Sequence, residues 1–255
     1  MTHSINLNAD MGEAFGNYAF GHDAELMPLV PTANVACGGH AGDPRVMRET
    51  VALAAHHGVE VGAHIGLPDL QGFGRRAMDV DASDLHDLVL FQLGALWAFT
   101  TAAGVALTHV KPHGILYRAC AEREDYAEAL VEAVAEIDAS MPIVVGDGPA
   151  AAAGARRGVR VTSEGYVDLE YRPDGFPVIE RRKQPNDPGR VARRAVALAM
   201  TRTAATAYGA ELWVDVPTIC LHGDAPTAVA VASAVREALA SAGVEVVGLV
   251  AALDA

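Results

Sequence analysis

Short runs of β-branched and other apolar residues recur along the chain, each followed by a longer stretch whose apolar positions return at helical spacing. INLNA (residues 5–9), TANVAC (32–37), VEVGA (59–63), LTHV (107–110), PIVVG (142–146), VRVTS (159–163) and TICL (218–221) predict strands. Residues 44–58, 83–104, 122–139, 187–205 and 226–243 predict helices. Pro44 fits a first helical turn that Gly58 later closes, while Ser83 and Gly104 mark the limits of the next helix. Such alternation implies parallel strands joined by right-handed crossovers. No composition break or long linker divides the chain, so residues 1–255 are expected to form a single α/β domain. An open doubly wound sheet and a closed or nearly closed barrel both fit the pattern.

The strand ends carry the chemistry. Asp10, His40, His64, Lys111 with His113, Asp147, Glu164, and His222 with Asp224 each follow one of the runs. Parallel strands would gather these groups at the carboxyl edge of the sheet, where both architectures build active sites. Residues 65–81, rich in Gly and Pro, interrupt the alternation and read as a functional loop, and residues 170–189 form a second irregular stretch with a Pro-Asp-Gly turn.

With 51% hydrophobic and 20% charged residues among 255, the chain can bury one large core, which excludes global disorder. Nineteen Lys and Arg against 32 Asp and Glu give a net charge of −13, which disfavours nucleic acid as a partner. No signal-like start and no apolar run approaching about 18 residues is present, so a soluble, cytoplasmic protein is expected, with no membrane partner. Cys37, Cys120 and Cys220 are far apart and lack C-x-x-C spacing, arguing against a disulfide framework or a cysteine zinc site. No G-x-S-x-G elbow appears, so a serine or cysteine nucleophile is not favoured.

Asn8, Asp10 and Glu13 could hold a cation, act as a base or position an amine; equally, the carboxylates could cap a turn. Gly38 and Gly39 allow close backbone approach beside His40, the leading candidate for an active-site histidine. His64 with Asp10 and His40 could form a nitrogen–oxygen metal site, although no H-x-x-x-H or H-E-x-x-H spacing supports it. Arg75 and Arg76 could clamp a phosphate or carboxylate, or lie solvated on a loop that matches no standard nucleotide motif. Strand alternation puts His109 and Lys111 on one face, making Lys111 a candidate oxyanion or phosphoryl stabiliser and His113 a proton relay; a structural salt bridge is the alternative. His222 and Asp224 repeat the design before the last predicted helix, where Asp224 could orient a histidine or cap the helix. His3, His22, His56, His57 and His86 read as solvated or packing residues.

LNADMGEAFG, ANVACGGHAGDP, VGAHIGLPDLQGFGRR, HVKPHGILY and TICLHGDAP together resemble the LamB/YcsF family, in family order and over nearly the whole chain. The resemblance implies a distorted (β/α) barrel of about seven parallel strands, similar to polysaccharide deacetylases. It also implies ATP-dependent opening of the lactam of 5-oxo-L-proline to L-glutamate, with Mg2+ accompanying ATP, alongside separate B and C subunits; a homo-oligomer is compatible with it. On this reading Asp10, Glu13, His40 and His64 activate substrate or water, Lys111 and His113 stabilise an oxyanion or phosphoryl group, and Asn8, Arg75, Arg76, Glu164, His222 and Asp224 bind substrate or phosphate. Ile65, Leu67, Arg118, Leu169 and the stretch 182–189 depart from the family pattern, which bears on substrate identity. Two rival readings are a metal-dependent amidase or deacetylase holding a divalent ion through Asp10, His40 and His64, and a non-catalytic ligand-binding subunit.

Overall fold

A computed structural model of the chain describes residues 3–178 and 184–254; residues 179–183 of the second irregular stretch lie outside them. The strands are β1 (His3–Met11), β2 (Thr32–Ala36), β3 (Glu60–Ile65), β4 (Leu107–Pro112), β5 (Ile143–Val144), β6 (Val161–Thr162), β7 (Gly165–Tyr166), β8 (Thr203–Ala205), β9 (Glu211–Trp213), β10 (Thr218–His222) and β11 (Val244–Val247). The helices are α1 (Asp23–Leu26), α2 (Pro44–His57), α3 (Ala82–Ala103), α4 (Gly114–Glu122), α5 (Glu124–Asp138), α6 (Pro149–Arg157), α7 (Pro188–Thr201), α8 (Ala228–Ser241) and α9 (Leu249–Leu253). Every run read as a strand overlaps one. No helix among the described residues is long and apolar enough to cross a membrane.

The chain folds as two compact units: residues 1–10, 21–32 and 164–255 form the first, and residues 11–20 and 33–163 the second. In the first unit β10 pairs in parallel with both β1 and β7, and β11 pairs in parallel with the start of β1. Leu7, Ile219 and Leu221 are buried on these strands, and Val191, Ala195, Val235 and Leu239 are buried on α7 and α8, which pack together. In the second unit the strand order is β6-β5-β4-β3-β2, with β3 to β6 parallel. Its core is Val61, Ala63, Val110 and Ile143 of the sheet with Leu85, Val89, Leu93 and Leu96 of α3.

Two helix expectations need correcting. The predicted helix over 187–205 stops at Thr201, because Arg202 turns left-handed (φ 56°) and β-branched Thr203 opens an antiparallel pair of β8 with β9. The predicted helix over 122–139 begins at Glu124: Arg123 is extended, its guanidinium binding Asp125 and lying 3.8 Å above the Tyr126 ring, and a separate helix, α4, precedes it. The Pro-Asp-Gly turn is present, with Gly175 N–H donating to Arg172 O (3.0 Å) and Arg172 N–H to Phe176 O (2.8 Å).

At the head of α2, the Asp43 carboxylate accepts the N–H groups of Arg45 (2.8 Å) and Val46 (2.9 Å), and its other oxygen accepts Gly16 N–H (2.8 Å). The cap therefore also fastens the segment that follows β1. These N–H groups, Val46 foremost, hold the Asp43 carboxyl below the usual range. A depressed carboxyl stabilises the fold fully above its unfolded value, near pH 4, and loses that contribution as pH falls through its folded value. Asp43→Ala should cost about 1–2 kcal/mol at pH 7, and its deficit against wild type should shrink below about pH 4; urea unfolding at pH 7 and pH 3 checks both.

Candidate functional site

Three histidines and a glutamate of the second unit meet at one point, each with a ligand atom within 4.8 Å of the others: Glu13, His40, His64 and His113. Glu13 lies just beyond β1, on a segment held to the loop after β2 by Gly42 N–H to Ala14 O (3.0 Å) and Arg45 Nη2 to Gly16 O (2.8 Å). His40 sits in that loop, His64 near the end of β3 and His113 directly after β4. Glu13 Oε1 is 3.2 Å from His40 Nε2, 3.6 Å from His113 Nδ1 and 3.8 Å from His64 Nε2. All three imidazoles are buried.

The backbone decides how the rings point. His64 Nδ1–H donates to Lys111 O (3.0 Å) and His113 Nε2–H donates to Phe73 O (2.9 Å), since a carbonyl oxygen only accepts. His64 Nε2 and His113 Nδ1 then face each other at 2.9 Å. His40 stacks flat on His113, with centroids 3.7 Å apart. Two glycines make room for this: a Cβ on Gly74 would stand 2.7 Å from His40 Cβ and 2.8 Å from His113 Cδ2, and one on Gly66 would stand 2.9 Å from His40 Cβ. Gly66 is held in turn by the buried amide of Gln92 on α3, which accepts its N–H and donates to its carbonyl (both 2.9 Å).

Lys111 is buried on β4 in register with His64 of β3. His109 binds Asn34 Oδ1 through Nε2 (2.8 Å) and Thr108 Oγ1 through Nδ1 (2.8 Å), and packs as a core group. In the loop of residues 66–81, Arg76 pairs with the buried Asp69 carboxylate, which also accepts Gly72 N–H (2.9 Å). The Arg76 guanidinium is the main cause that holds the Asp69 carboxyl below its usual range. Arg75 lies over the Phe73 ring, 5.0 Å from its centroid. Burial pushes the Cys37 and Cys120 thiols up, which keeps them protonated and inert.

A second polar cluster forms in the first unit. Parallel register sets Asp10 of β1 beside His222 of β10 and Asn8 beside Cys220, and the donors of Asp10, Cys220 and His222 also lie within 4.8 Å of one another. Asp168 accepts both His222 N–H (2.9 Å) and His222 Nδ1–H (3.0 Å), so that Nε2 is the ring nitrogen not used on Asp168. Glu164 accepts Asn8 Nδ2 (3.3 Å) and Tyr166 Oη (2.9 Å). Asn8 continues through Thr218 Oγ1 (2.7 Å) to Asn6 Oδ1 (2.6 Å), so the buried polar groups form one chain of bonds. Asp224 is half-buried in the turn before α8, and Asp147 is exposed.

The metal candidates read from the sequence thus fall in different groups: His40 and His64 stand with Glu13 and His113, and Asp10 stands with Cys220 and His222. Asp168 and Phe73 escaped the sequence reading. The acidic residues Asp168 and Glu170 among the apolar and aromatic side chains of Tyr166–Tyr171 were the available signal for Asp168, whereas nothing local marks Phe73, which acts through its carbonyl. Of the departures from the family pattern, Ile65 and Leu67 are fully buried, and Leu169 packs with Tyr166, Tyr171 and Cys220.

The LamB/YcsF family model matches residues 5–254. A protein from Tolumonas auensis, named as the A subunit of 5-oxoprolinase, is 46% identical over 247 residues, covering 95% of this chain and 98% of its own. A like-named protein from Thermus thermophilus is 46% identical over 248 residues, with the same coverage, 95% and 98%. Among solved structures, a lactam utilization protein from Thermus thermophilus superposes with a TM-score of 0.87 at 43% identity, over 95% of this chain and 98% of that one. A deacetylase solved with its substrate aligns over 99% of this chain and 92% of that one with a TM-score of 0.50 at 15% identity. That second likeness is one of fold, and it bears out the deacetylase-type (β/α) architecture that the family resemblance implies.

Gly74→Ala should lower stability and disturb the His40 and His113 rings, because its Cβ would meet both. Gly94→Ala on the exposed face of α3, where a Cβ meets nothing within 4 Å, should instead stabilise by about 0.5–1 kcal/mol. Urea unfolding and histidine ring NMR of the two variants check this contrast.

Proposed function

The chain belongs to the LamB/YcsF family, and on that footing we propose that it is the A subunit of an ATP-dependent 5-oxoprolinase. In this reading it opens the lactam of 5-oxo-L-proline to L-glutamate, together with separate B and C subunits, in the cytoplasm. The observation that carries the reading is the near full-length match, at 42–46% identity, to proteins named as the A subunit of that enzyme.

A lactam resists hydrolysis because its carbonyl is a poor electrophile and its nitrogen a poor leaving group. Transfer of the γ-phosphoryl group of ATP to the lactam oxygen would relieve the first difficulty, with ADP leaving, before water attacks the ring carbonyl. This chain carries no standard phosphate loop, and Arg75 and Arg76 are already engaged by Phe73 and Asp69. We therefore assign the phosphoryl step to no residue of this chain. The chemistry assigned to it is local to the Glu13–histidine group: the carboxylate and imidazoles take up a proton from attacking water, and Lys111 offsets negative charge developing on the former carbonyl oxygen. In the other cluster Asn8, Asp10, Glu164 and His222 bind polar groups of a ligand, with Asp168 setting the His222 tautomer.

A second reading, metal-dependent amide hydrolysis without nucleotide, draws support from the same histidine–glutamate group. Under it, activity should fall with a chelator, return with added metal, and require no ATP.

Glutamate and ADP release from 5-oxoproline and ATP should appear only when this chain is mixed with its partner subunits. No turnover from folded, associated subunits would redirect the search to another lactam or amide, starting at Ile65, Leu67 and Leu169. Lys111→Met should abolish turnover while circular dichroism stays unchanged; near-normal turnover would remove Lys111 from the mechanism.

A further inference from the structure

We propose that Glu13, His40, His64 and His113 bind one divalent transition-metal ion, an inference that rests on the second, metal-dependent reading, in which these groups hold the ion instead of taking up a proton from water. The tautomers carry the argument. His64 uses its Nδ1 proton on Lys111 O and His113 uses its Nε2 proton on Phe73 O. In their neutral forms the two rings then present lone pairs to each other across 2.9 Å, beside a carboxylate oxygen 3.6 and 3.8 Å away. Lone pairs so arranged repel unless a positive charge stands among them. One shared proton would answer the His64–His113 contact and a His40 Nε2 proton the 3.2 Å bond to Glu13 Oε1, whereas a single ion answers both at once, because all four donors approach one point.

Three imidazole nitrogens and one carboxylate oxygen make a donor set suited to Zn2+, Co2+, Ni2+, Fe2+ or Mn2+ rather than to Ca2+ or Mg2+. At metal–nitrogen distances of about 2.1 Å, donors 2.9 Å apart subtend close to a right angle. That separation fits neighbouring positions of an ion with more than four ligands, leaving room for oxygen from water or substrate. The surroundings are those of a metal site: two of the ligating rings are anchored by backbone carbonyls, all three are buried, and Gly66 and Gly74 let the backbone pack closely against His40 and His113. The four ligands come from four separate segments, so the ion would tie the loops after β1, β2 and β4 to the end of β3.

The test uses the full-length protein stripped with chelator, checked for folding by circular dichroism, and titrated with Co2+. One equivalent should bind, with visible ligand-field bands and a raised melting temperature. X-ray absorption of the cobalt form should show imidazole scattering from three rings and no sulfur. Glu13→Gln and His113→Gln should each weaken Co2+ binding by more than the roughly 10- to 100-fold that loss of an outer-sphere partner costs. His222→Gln, in the other cluster, should leave the affinity unchanged. The proposal is overturned by failure of the folded protein to take up one equivalent of Co2+, Mn2+ or Zn2+, with NMR showing a proton shared by His64 and His113. Sulfur ligation, fewer than two imidazoles, or loss of binding in His222→Gln alone would overturn it equally. None of these readouts requires turnover, so failure of the lactam reading and failure of the metal site are told apart.

Discussion

Burying a carboxylate among three imidazoles is the constraint on which the second unit is built. Such groups are expensive to take out of water unless their hydrogen bonds and charges are met. The structure answers with backbone: Lys111 O and Phe73 O take the outward ring protons, and the loop holding Phe73 is shaped to reach them. That loop is itself kept in place by Asp69, a buried acid that gathers Gly72 N–H and the Arg76 guanidinium. Arg76 thus supports the site from behind, through the fold of its loop.

Close packing follows from the same demand. Gly39, Gly66 and Gly74 stand where side chains would strike the Gln92 amide or the histidine rings, and Gln92 reaches from α3 to complete the hydrogen bonds of Gly66. Rings confined in this way keep one orientation, which is what catalysis or ligation asks of them. The first unit solves a comparable problem with side chains: Asn6, Thr218, Asn8, Glu164 and Tyr166 pass hydrogen bonds along β1 and β10, and Asp168 locks His222 from both its ring and its backbone nitrogen.

Much of this was legible in the chain. The strand runs were readable because parallel strands are apolar throughout and sit between amphipathic helices, and His40, His64, Lys111 and His113 stood out as polar residues ending apolar runs. β7 and β8, with two and three residues, were not readable because no longer apolar run flags them, whereas the equally short β5 and β6 sit inside the runs 142–146 and 159–163. Helix α4 was hidden because GILYRACAE directly follows a strand and its Gly114 is a poor helix former. Arg123 separates it from α5 by its extended backbone, with its guanidinium held by Asp125 and the Tyr126 ring.

The sequence by itself determined the α/β class, the alternation of the seven main strand runs with the longer helices, and which residues would end strands with chemistry, because apolar periodicity and local punctuation are properties of neighbouring residues. Only the tertiary structure decided which of those residues share a site. Glu13 joins His40, His64 and His113, Asp10 joins His222, and Arg76 turns to Asp69, through contacts that no local pattern encodes. Ring tautomers were likewise settled by carbonyls of Lys111 and Phe73, groups every residue carries and no pattern of side chains can single out.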